Sequence, residues 1–367
     1  MRIAILTNAF PPRAHGGCGR IAFIYAELLK ARGHEVKVWG PQVWFYRLAK
    51  MPALFRLYFH LRDLGSQDKT IREITDWKPD ALLTHNLTGC GFATPRDIRD
   101  AGVRWVHMLH DVQLFEPSGQ IISGESWFFL RRLWRKIWAM LRRRSLGEPD
   151  SVISPTRWLL AEHQKFGFFK RSKPEVSPNP LGPDELAVLN DGSASIVRDP
   201  RAIAYVGRLD SDKGIDALLR AWQRIRHAAS KLRLIGDGRL RGAIDALHDP
   251  KIQVGYMEHA ELLTALRSCG VCVVPSLVME NQPTVILEAL ACGSRVVATD
   301  VGGVAETLGG AGWLVKPNAE DDLVQALLEA MEQTEKLQLE SARHEILKLH
   351  EPEACVSRLE GLLKSNL

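Results

Sequence analysis

RIAILTNAFPPRAHGGCGRIAFIYAELLKARGHEVKVWG, residues 2–40, sets the fold. Arg2–Thr7 is a short apolar run and reads as a buried strand. A Pro- and Gly-rich loop follows, NAFPPRAHGGCG. From about Arg20 to Arg32 the apolar residues Ile21, Ile24 and Leu28 recur at helical spacing. Gly33 ends that helix, and HEVKVWG is the next strand. A strand–helix–strand unit of this kind builds a parallel sheet. The strand pattern returns at PDALLTH, VRWVHMLHD and PDSVISP, then pauses over SPNPLGPDELAVLNDGSA. It resumes at AIAYVGRLD, KLRLIGDG, VCVVPS and SRVVATD. Two α/β domains with doubly wound parallel sheets are expected, 1–180 and 181–345, with 346–367 a helix packing back toward the first. Ligands of such sheets bind beyond the carboxyl ends of the strands, and with two domains the cleft between them is the expected site.

The chain has 367 residues, 46% of them apolar and 25% charged. That is enough for two sizeable cores, and nothing marks the chain as disordered or fibrous. The net charge of +5 conceals an imbalance. Residues 1–180 hold 28 Lys/Arg against 16 Asp/Glu, or +12; the rest hold 20 against 27, or −7. A basic half attracts anions such as phosphates or an acidic lipid surface. Cys18, Cys90, Cys269, Cys272, Cys292 and Cys355 are scattered, mostly in apolar runs, and read as reduced, buried thiols of a cytoplasmic protein. Cys269-x-x-Cys272 lacks the second pair a zinc site needs. The N-terminus shows no cleavage-site pattern, and no run has the roughly 18–20 apolar residues of a membrane span.

Gly17-Cys18-Gly19-Arg20-Ile21-Ala22 has the spacing G-x-G-x-x-A, but too far from the first strand for a dinucleotide fingerprint, and no acid closes the second strand. What remains is a glycine loop before a helix, where backbone N–H groups can receive an anion. YVGRLDSDKG places Arg208 and Lys213 just past a strand end. A guanidinium fork and an ammonium there suit a diphosphate. Asp210 and Asp212 form a D-x-D, but Lys213 beside them disfavours a cation, and an exposed turn is expected. His110 and Asp111 follow another strand end, which favours a role at a site for His110; His107, inside the strand, reads as structural. VPSLVMENQPTVILEALACG, residues 274–293, carries Glu280 on a strand-to-helix loop and Glu288 two turns into the helix.

Two further stretches are basic and aromatic, residues 43–62 and WFFLRRLWRKIWAMLRRR at 127–144. In the second, Trp127, Leu130, Trp134, Ile137 and Leu141 share a helical face, with Arg131, Arg132, Arg135 and Lys136 between them. Interfacial helices have this composition, and so does a core-packed helix with a solvated basic face. No nucleic-acid motif accompanies the basic residues.

Taken together, VGRLDSDKGIDALLRAW, LRLIGDG and PSLVMENQPTVILEALACGSRVVATDVGGVAE, with PPRAHGGCGR near the start, resemble the retaining glycosyltransferases of family 4. The resemblance runs over nearly the whole chain, and the Glu-x7-Glu spacing is its most specific feature. It implies a GT-B fold of two Rossmann-like domains, with a nucleotide diphosphate sugar (UDP- or GDP-linked) held by the second and a glycan or lipid-linked acceptor by the first. It implies that Glu280 faces the donor sugar and that Glu288 binds the ribose hydroxyls. The amides of Asn281, Gln282, Pro283 and Thr284 would surround diphosphate and sugar, Pro283 lacking an N–H of its own. Arg208 and Lys213, beside Gly207, would neutralise the leaving diphosphate, and Gly16 and Gly17 would approach it from the first domain. His110 would touch the donor sugar, and backbone at Tyr256 and Met257 would meet the base. The common Glu-Gly-Phe-Pro reads Glu280-Asn281-Gln282-Pro283 here, which bears on sugar identity. No metal or cofactor is implied. A nucleotide-sugar epimerase, or a non-catalytic nucleotide-sugar-binding protein, would share the fold. A lipid-linked acceptor would bring the basic first domain to the inner face of a cell membrane as a peripheral protein.

Overall fold

The computed structural model describes residues 1–11, 17–41, 51–123, 128–190, 196–332 and 337–364. The chain divides into two compact units. The first comprises Met1–Ile121, Glu125–Pro180 and Pro352–Leu367, and the second Ile122–Gly124 and Leu181–Glu351.

The first unit is a six-stranded parallel sheet in the order β2-β1-β3-β4-β5-β6. Its strands are β1 (Arg2–Leu6), β2 (Glu35–Trp39), β3 (Ala81–Thr84), β4 (Arg104–Met108), β5 (Ser151–Ser154) and β6 (Lys173–Val176). The central strands are apolar on both faces because helices cover both: β3 and β5 are buried along their whole length. The helices are α1 (Gly17–Ala31), α2 (Ala53–Arg62), α3 (Asp68–Asp76), α4 (Thr94–Asp100), α5 (Phe128–Leu146) and α6 (Arg157–Lys165). On α1, Ile21, Ile24, Tyr25 and Leu29 pack into the core beside Ile3, Ile5 and Leu83.

The second unit carries α7 (Pro183–Asn190) and another six-stranded parallel sheet. Its strands are β7 (Asp199–Val206), β8 (Lys231–Ile235), β9 (Ile252–Gly255), β10 (Cys269–Val274), β11 (Arg295–Thr299) and β12 (Gly312–Val315). Their order, β12-β11-β10-β7-β8-β9, reverses between β7 and β10. Between and after them run α8 (Ile215–Ile225), α9 (Arg241–Asp245), α10 (His259–Ser268), α11 (Thr284–Ala291), α12 (Val304–Leu308), α13 (Glu320–Glu332) and α14 (Leu337–Leu349). On α8 the buried residues Ile215, Leu218, Trp222 and Ile225 form one stripe. The last helix, α15 (Pro352–Lys364), belongs to the first unit and packs on α1, β3 and β4. The six cysteines are unpaired with one another, and Cys269 and Cys272 are both buried in β10.

Helix α5 departs from the sequence expectation. Arg135 does not lie on an outer basic face. It is buried and donates from Nε to Glu116 Oε2 at 2.8 Å. Arg142 is fully buried, its guanidinium 4.5 Å from the centre of the Phe92 ring and 5.0 Å from that of Trp138. Burial lowers its pKa to about 10. Two arginines therefore point inward, and Leu130, Leu133, Trp134, Ile137 and Met140 are exposed. Trp127 lies outside the described residues.

Candidate functional site

The carboxyl ends of β7 and β10 adjoin where the strand order of the second unit reverses, the position at which open α/β sheets bind ligands. The loop after β7 carries Gly207, Arg208 and Lys213; the loop after β10 carries Glu280. Glycines let these loops close on their neighbours. Gly214 has φ +76°, and a Cβ there would lie 1.8 Å from the Pro275 carbonyl oxygen. Gly302 has φ +64°, and its Cβ would lie 2.1 Å from the Glu280 carbonyl oxygen. No side chain fits at either. The result is a contact between Lys213 Nζ and Glu280 Oε1 at 2.5 Å, each side chain about one-fifth exposed (21%). Ser276 Oγ donates to the same oxygen at 2.9 Å. The loop before Glu280 is further held by Leu277 N–H to Asp212 O, 3.0 Å, and by Ser123 N–H to Leu277 O, 2.8 Å.

Arg208 reaches Asp210 with one guanidinium nitrogen and Asp212 with the other, the latter at 2.8 Å. Asp210 also accepts the Arg239 backbone N–H at 2.9 Å and its Nε at 3.2 Å. These bonds, the Arg239 amide first, hold its carboxyl below the usual range. The D-x-D is therefore not an exposed turn: Asp210 is buried, and both carboxylates orient Arg208. Arg208 itself is about half exposed. Gly207, with φ +149°, donates its N–H to Ile235 O at 3.0 Å and so ties the end of β7 to β8.

Glu288 sits in α11 and is buried. Its Oε1 lies 3.6 Å from Nε2 of His259, the first residue of α10; the same nitrogen is 3.5 Å from Glu185 Oε1, and Nδ1 is 3.0 Å from Asp184 Oδ2. One histidine thus gathers carboxylates from α7 and α11. The sequence reading did not single out His259 or Glu185, whose partners lie far along the chain. Ligand atoms of Glu185, His259 and Glu288 fall within 4.8 Å of one another, a donor set that could also hold a cation. Asn281, Gln282, Pro283 and Thr284 lead into α11 and are half-buried; Pro283 offers no side-chain cap. Tyr256 and Met257 follow β9, Tyr256 well exposed and Met257 half-buried.

Two predicted residues that the structure describes, Gly17 and His110, lie in the first unit. Gly17 begins α1, and Gly16 is outside the described residues. His110 follows β4. Its ring stacks on that of His85, centroids 5.0 Å apart, and its Nε2 shares a 2.7 Å hydrogen bond with His85 Nδ1. Burial lowers its pKa to about 3, so at neutral pH it acts as an uncharged hydrogen-bonding ring. His107 is buried and bonded to Thr84 Oγ1 at 2.7 Å, a structural histidine. A recess of about 520 Å³ lined by Arg99, Arg104, Asp150 and Lys173 lies at the amino ends of β4–β6, the end of the sheet where ligands are not expected.

The family model described as Glycosyltransferase Family 4 matches residues 15–185, and that described as Glycosyl transferases group 1 matches residues 200–333. The chain is 34% identical over 277 residues to a protein of Bacillus subtilis named as a putative teichuronic acid biosynthesis glycosyltransferase, TuaC, covering 73% of this chain and 65% of that one. Among solved structures, it resembles a trehalose-6-phosphate protein of E. coli bound with UDP-2-fluoro glucose (TM-score 0.72, 15% identity, all of both chains covered). It also resembles HepE of Anabaena in complex with UDP (TM-score 0.70, 17% identity, all of both chains covered). With a glycosyltransferase model matching each half and the two-domain fold shared in full, the chain belongs to the group 1 glycosyltransferases of the GT-B fold.

Proposed function

We propose that the protein transfers a sugar, with retention, from a nucleotide diphosphate sugar to a hydroxyl of a glycan or lipid-linked glycan in polysaccharide or glycolipid biosynthesis. The contact of Lys213 with Glu280 beside Arg208 at the strand-order reversal carries this reading. Glycosyl transfer passes through an oxocarbenium-like state while negative charge builds on the departing diphosphate. Fixed cations and amides aimed at that charge do the main catalytic work. Lys213 and Arg208 are the cations, and Asn281, Gln282 and Thr284 supply amides ahead of and at the start of α11. Glu280, released from Lys213 when a diphosphate takes the ammonium, faces the sugar. Glu288 binds the ribose, and Tyr256 and Met257 present backbone to the base. Attack on the face the leaving group vacates, with a leaving-group oxygen assisting the acceptor proton, gives retention. The TuaC name supports a polysaccharide product, and the two UDP complexes support a UDP-sugar donor.

A thermal-shift panel of UDP, GDP and ADP with their sugars tests this, because a ligand that binds the folded state raises its stability. UDP and a UDP-sugar are expected to raise Tm most. Glu288→Ala should abolish that shift, whereas Glu280→Gln should retain it and lower kcat, since contacts confined to the reacting centre act on turnover. Absence of a shift with every nucleotide would defeat the reading, and equal effects of the two substitutions would remove the division of roles.

No metal enters this scheme, and Asp210 and Asp212 are engaged by arginines. Activity should therefore persist in EDTA. Loss of activity restored by Mn²⁺ or Mg²⁺ would overturn that expectation and direct attention to Glu185, His259 and Glu288.

A further inference from the structure

Helices α2 and α5 adjoin in the first unit. The His60 and Trp138 rings meet edge to face with centroids 6.0 Å apart, and the Ser145 hydroxyl donates to the Leu64 carbonyl. Each helix turns a large apolar face outward. On α2 these residues are Leu54, 81% exposed, Phe55, 60%, Tyr58 and Leu61; on α5 they are Leu130, 57%, Leu133, Trp134, 43%, Ile137 and Met140. The spacing is helical in both, so each set is a stripe rather than a scatter. Nine large exposed apolar side chains gathered on two such stripes go beyond the scattered single exposures that are ordinary on a soluble surface. On α5 the arrangement is inverted: Arg135 and Arg142 are buried while leucines, a tryptophan and an isoleucine face out. Around the stripes stand the exposed cations Arg56, Arg62, Arg131, Arg132, Lys136 and Arg144. Neither helix contains an Asp or Glu. The acids packed beneath them, Asp63 and Glu116, are buried and engaged, by the Gly89 and Gly91 amides and by Arg135.

We propose that the α2–α5 face docks the protein on an anionic lipid bilayer, apolar side chains entering the headgroup boundary and the surrounding cations meeting acidic headgroups. The charge pattern selects this occupant. A second copy docking face to face would bring cations against cations with no acid to answer them. A polyanion such as RNA would use the cations and leave Leu130, Leu133 and Ile137 without a role. The proposal extends the reading above by locating the acceptor among lipid-linked glycans. Its test needs neither donor nor acceptor, so its failure and that of sugar transfer are separable.

The full chain is sedimented with sucrose-loaded vesicles of phosphatidylcholine, with and without phosphatidylglycerol, at low and high salt. Three proteins are compared: wild type, Trp134→Ser with Ile137→Ser, and Arg131→Glu with Arg132→Glu and Lys136→Glu. The substituted side chains are exposed, so Tm should be unchanged. Wild type should sediment only with phosphatidylglycerol vesicles, and salt should weaken it. The charge-reversed protein should bind at least about 100-fold more weakly, and the serine variant should also lose binding. If the serine variant unfolds, the charge-reversed protein decides alone. Three results would overturn the proposal: no binding of wild type to anionic vesicles at low salt, serine-variant binding equal to wild type, or a lipid-free dimer by light scattering that the serine substitutions dissolve.

Discussion

Lys213→Ala is expected to lower kcat/KM by about 30- to 1,000-fold, the loss of about 2–4 kcal/mol typical of a removed electrostatic donor at a reacting oxyanion. Two effects combine. The cation facing the departing diphosphate is lost, and the Glu280 carboxylate loses its only cationic contact among the described residues, keeping Ser276. A bare carboxylate beside an incoming diphosphate repels it, so KM should rise as kcat falls. Arg208→Ala is expected to act in the same direction but less. Its charge is already shared between Asp210 and Asp212, and its side chain is about half exposed, which screens it. Because Lys213 and Glu280 act as a pair, Lys213→Ala with Glu280→Gln should cost less than the sum of the single substitutions. Steady-state kinetics on the four proteins, with Tm as the control for folding, provides the check. Near-normal turnover in both single cation variants would reject the role of these cations, and strict additivity would reject the coupling.

Much of this site was legible in the sequence because it follows from strand ends. Unbroken apolar runs such as VCVV at β10 mark buried parallel strands, and the polar residues just beyond them must then lie at the carboxyl edge of the sheet. Arg208, Lys213 and Glu280 are placed by that rule alone. Their mutual contact was not legible, since Lys213 and Glu280 are 67 residues apart and meet only because Gly214 and Gly302 let three loops close together. Asp210 was misread for a related reason. The residue that buries and binds it, Arg239, is 29 positions away after β8. The orientation of α5 was hidden too. Residue type sends arginine outward, but Glu116 and the ring of Phe92, neighbours only in the fold, make the interior hospitable to Arg135 and Arg142. His259 gave no sequence signal, because its acidic partners come from two other helices.

Acidification should destabilise the first unit well above the pH at which carboxylates titrate. His85, His107 and His163 are all buried there. Burial lowers His107 to about 3 and His163 to about 4, and His85 lies well below its ordinary value for the same reason. Their hydrogen bonds to His110 Nε2, Thr84 Oγ1 and the Leu159 carbonyl involve only one ring nitrogen each and do not compensate a buried positive charge. Each group has a folded pKa below its unfolded value near 6.5, so the unfolded chain binds more protons in between. Stability is then fully present above about pH 6.5 and falls as pH drops toward the folded values. His110, lowered to about 3, and His60, lowered to about 4, behave in the same way, and the five groups together remove about 7 kcal/mol between pH 7.5 and pH 5.5. Asp63 opposes them: burial raises it to about 6, so the folded state takes up its proton first and regains about 1 kcal/mol over the same range. Burial raises Asp111 too and so works in the same sense as Asp63, but the histidines win by several kcal/mol, a large share of the roughly 5–15 kcal/mol that holds a typical domain together. Urea titrations at the two pH values measure the difference, and hydrogen exchange should show protection falling in the strands of the first unit. His163→Leu should reduce the histidine contribution to the pH dependence by about a fifth, since it removes one of the five groups without leaving a buried polar atom. A stability that stays level from pH 7.5 to pH 5.5 would mean that these imidazoles take up protons as readily in the fold as in the open chain.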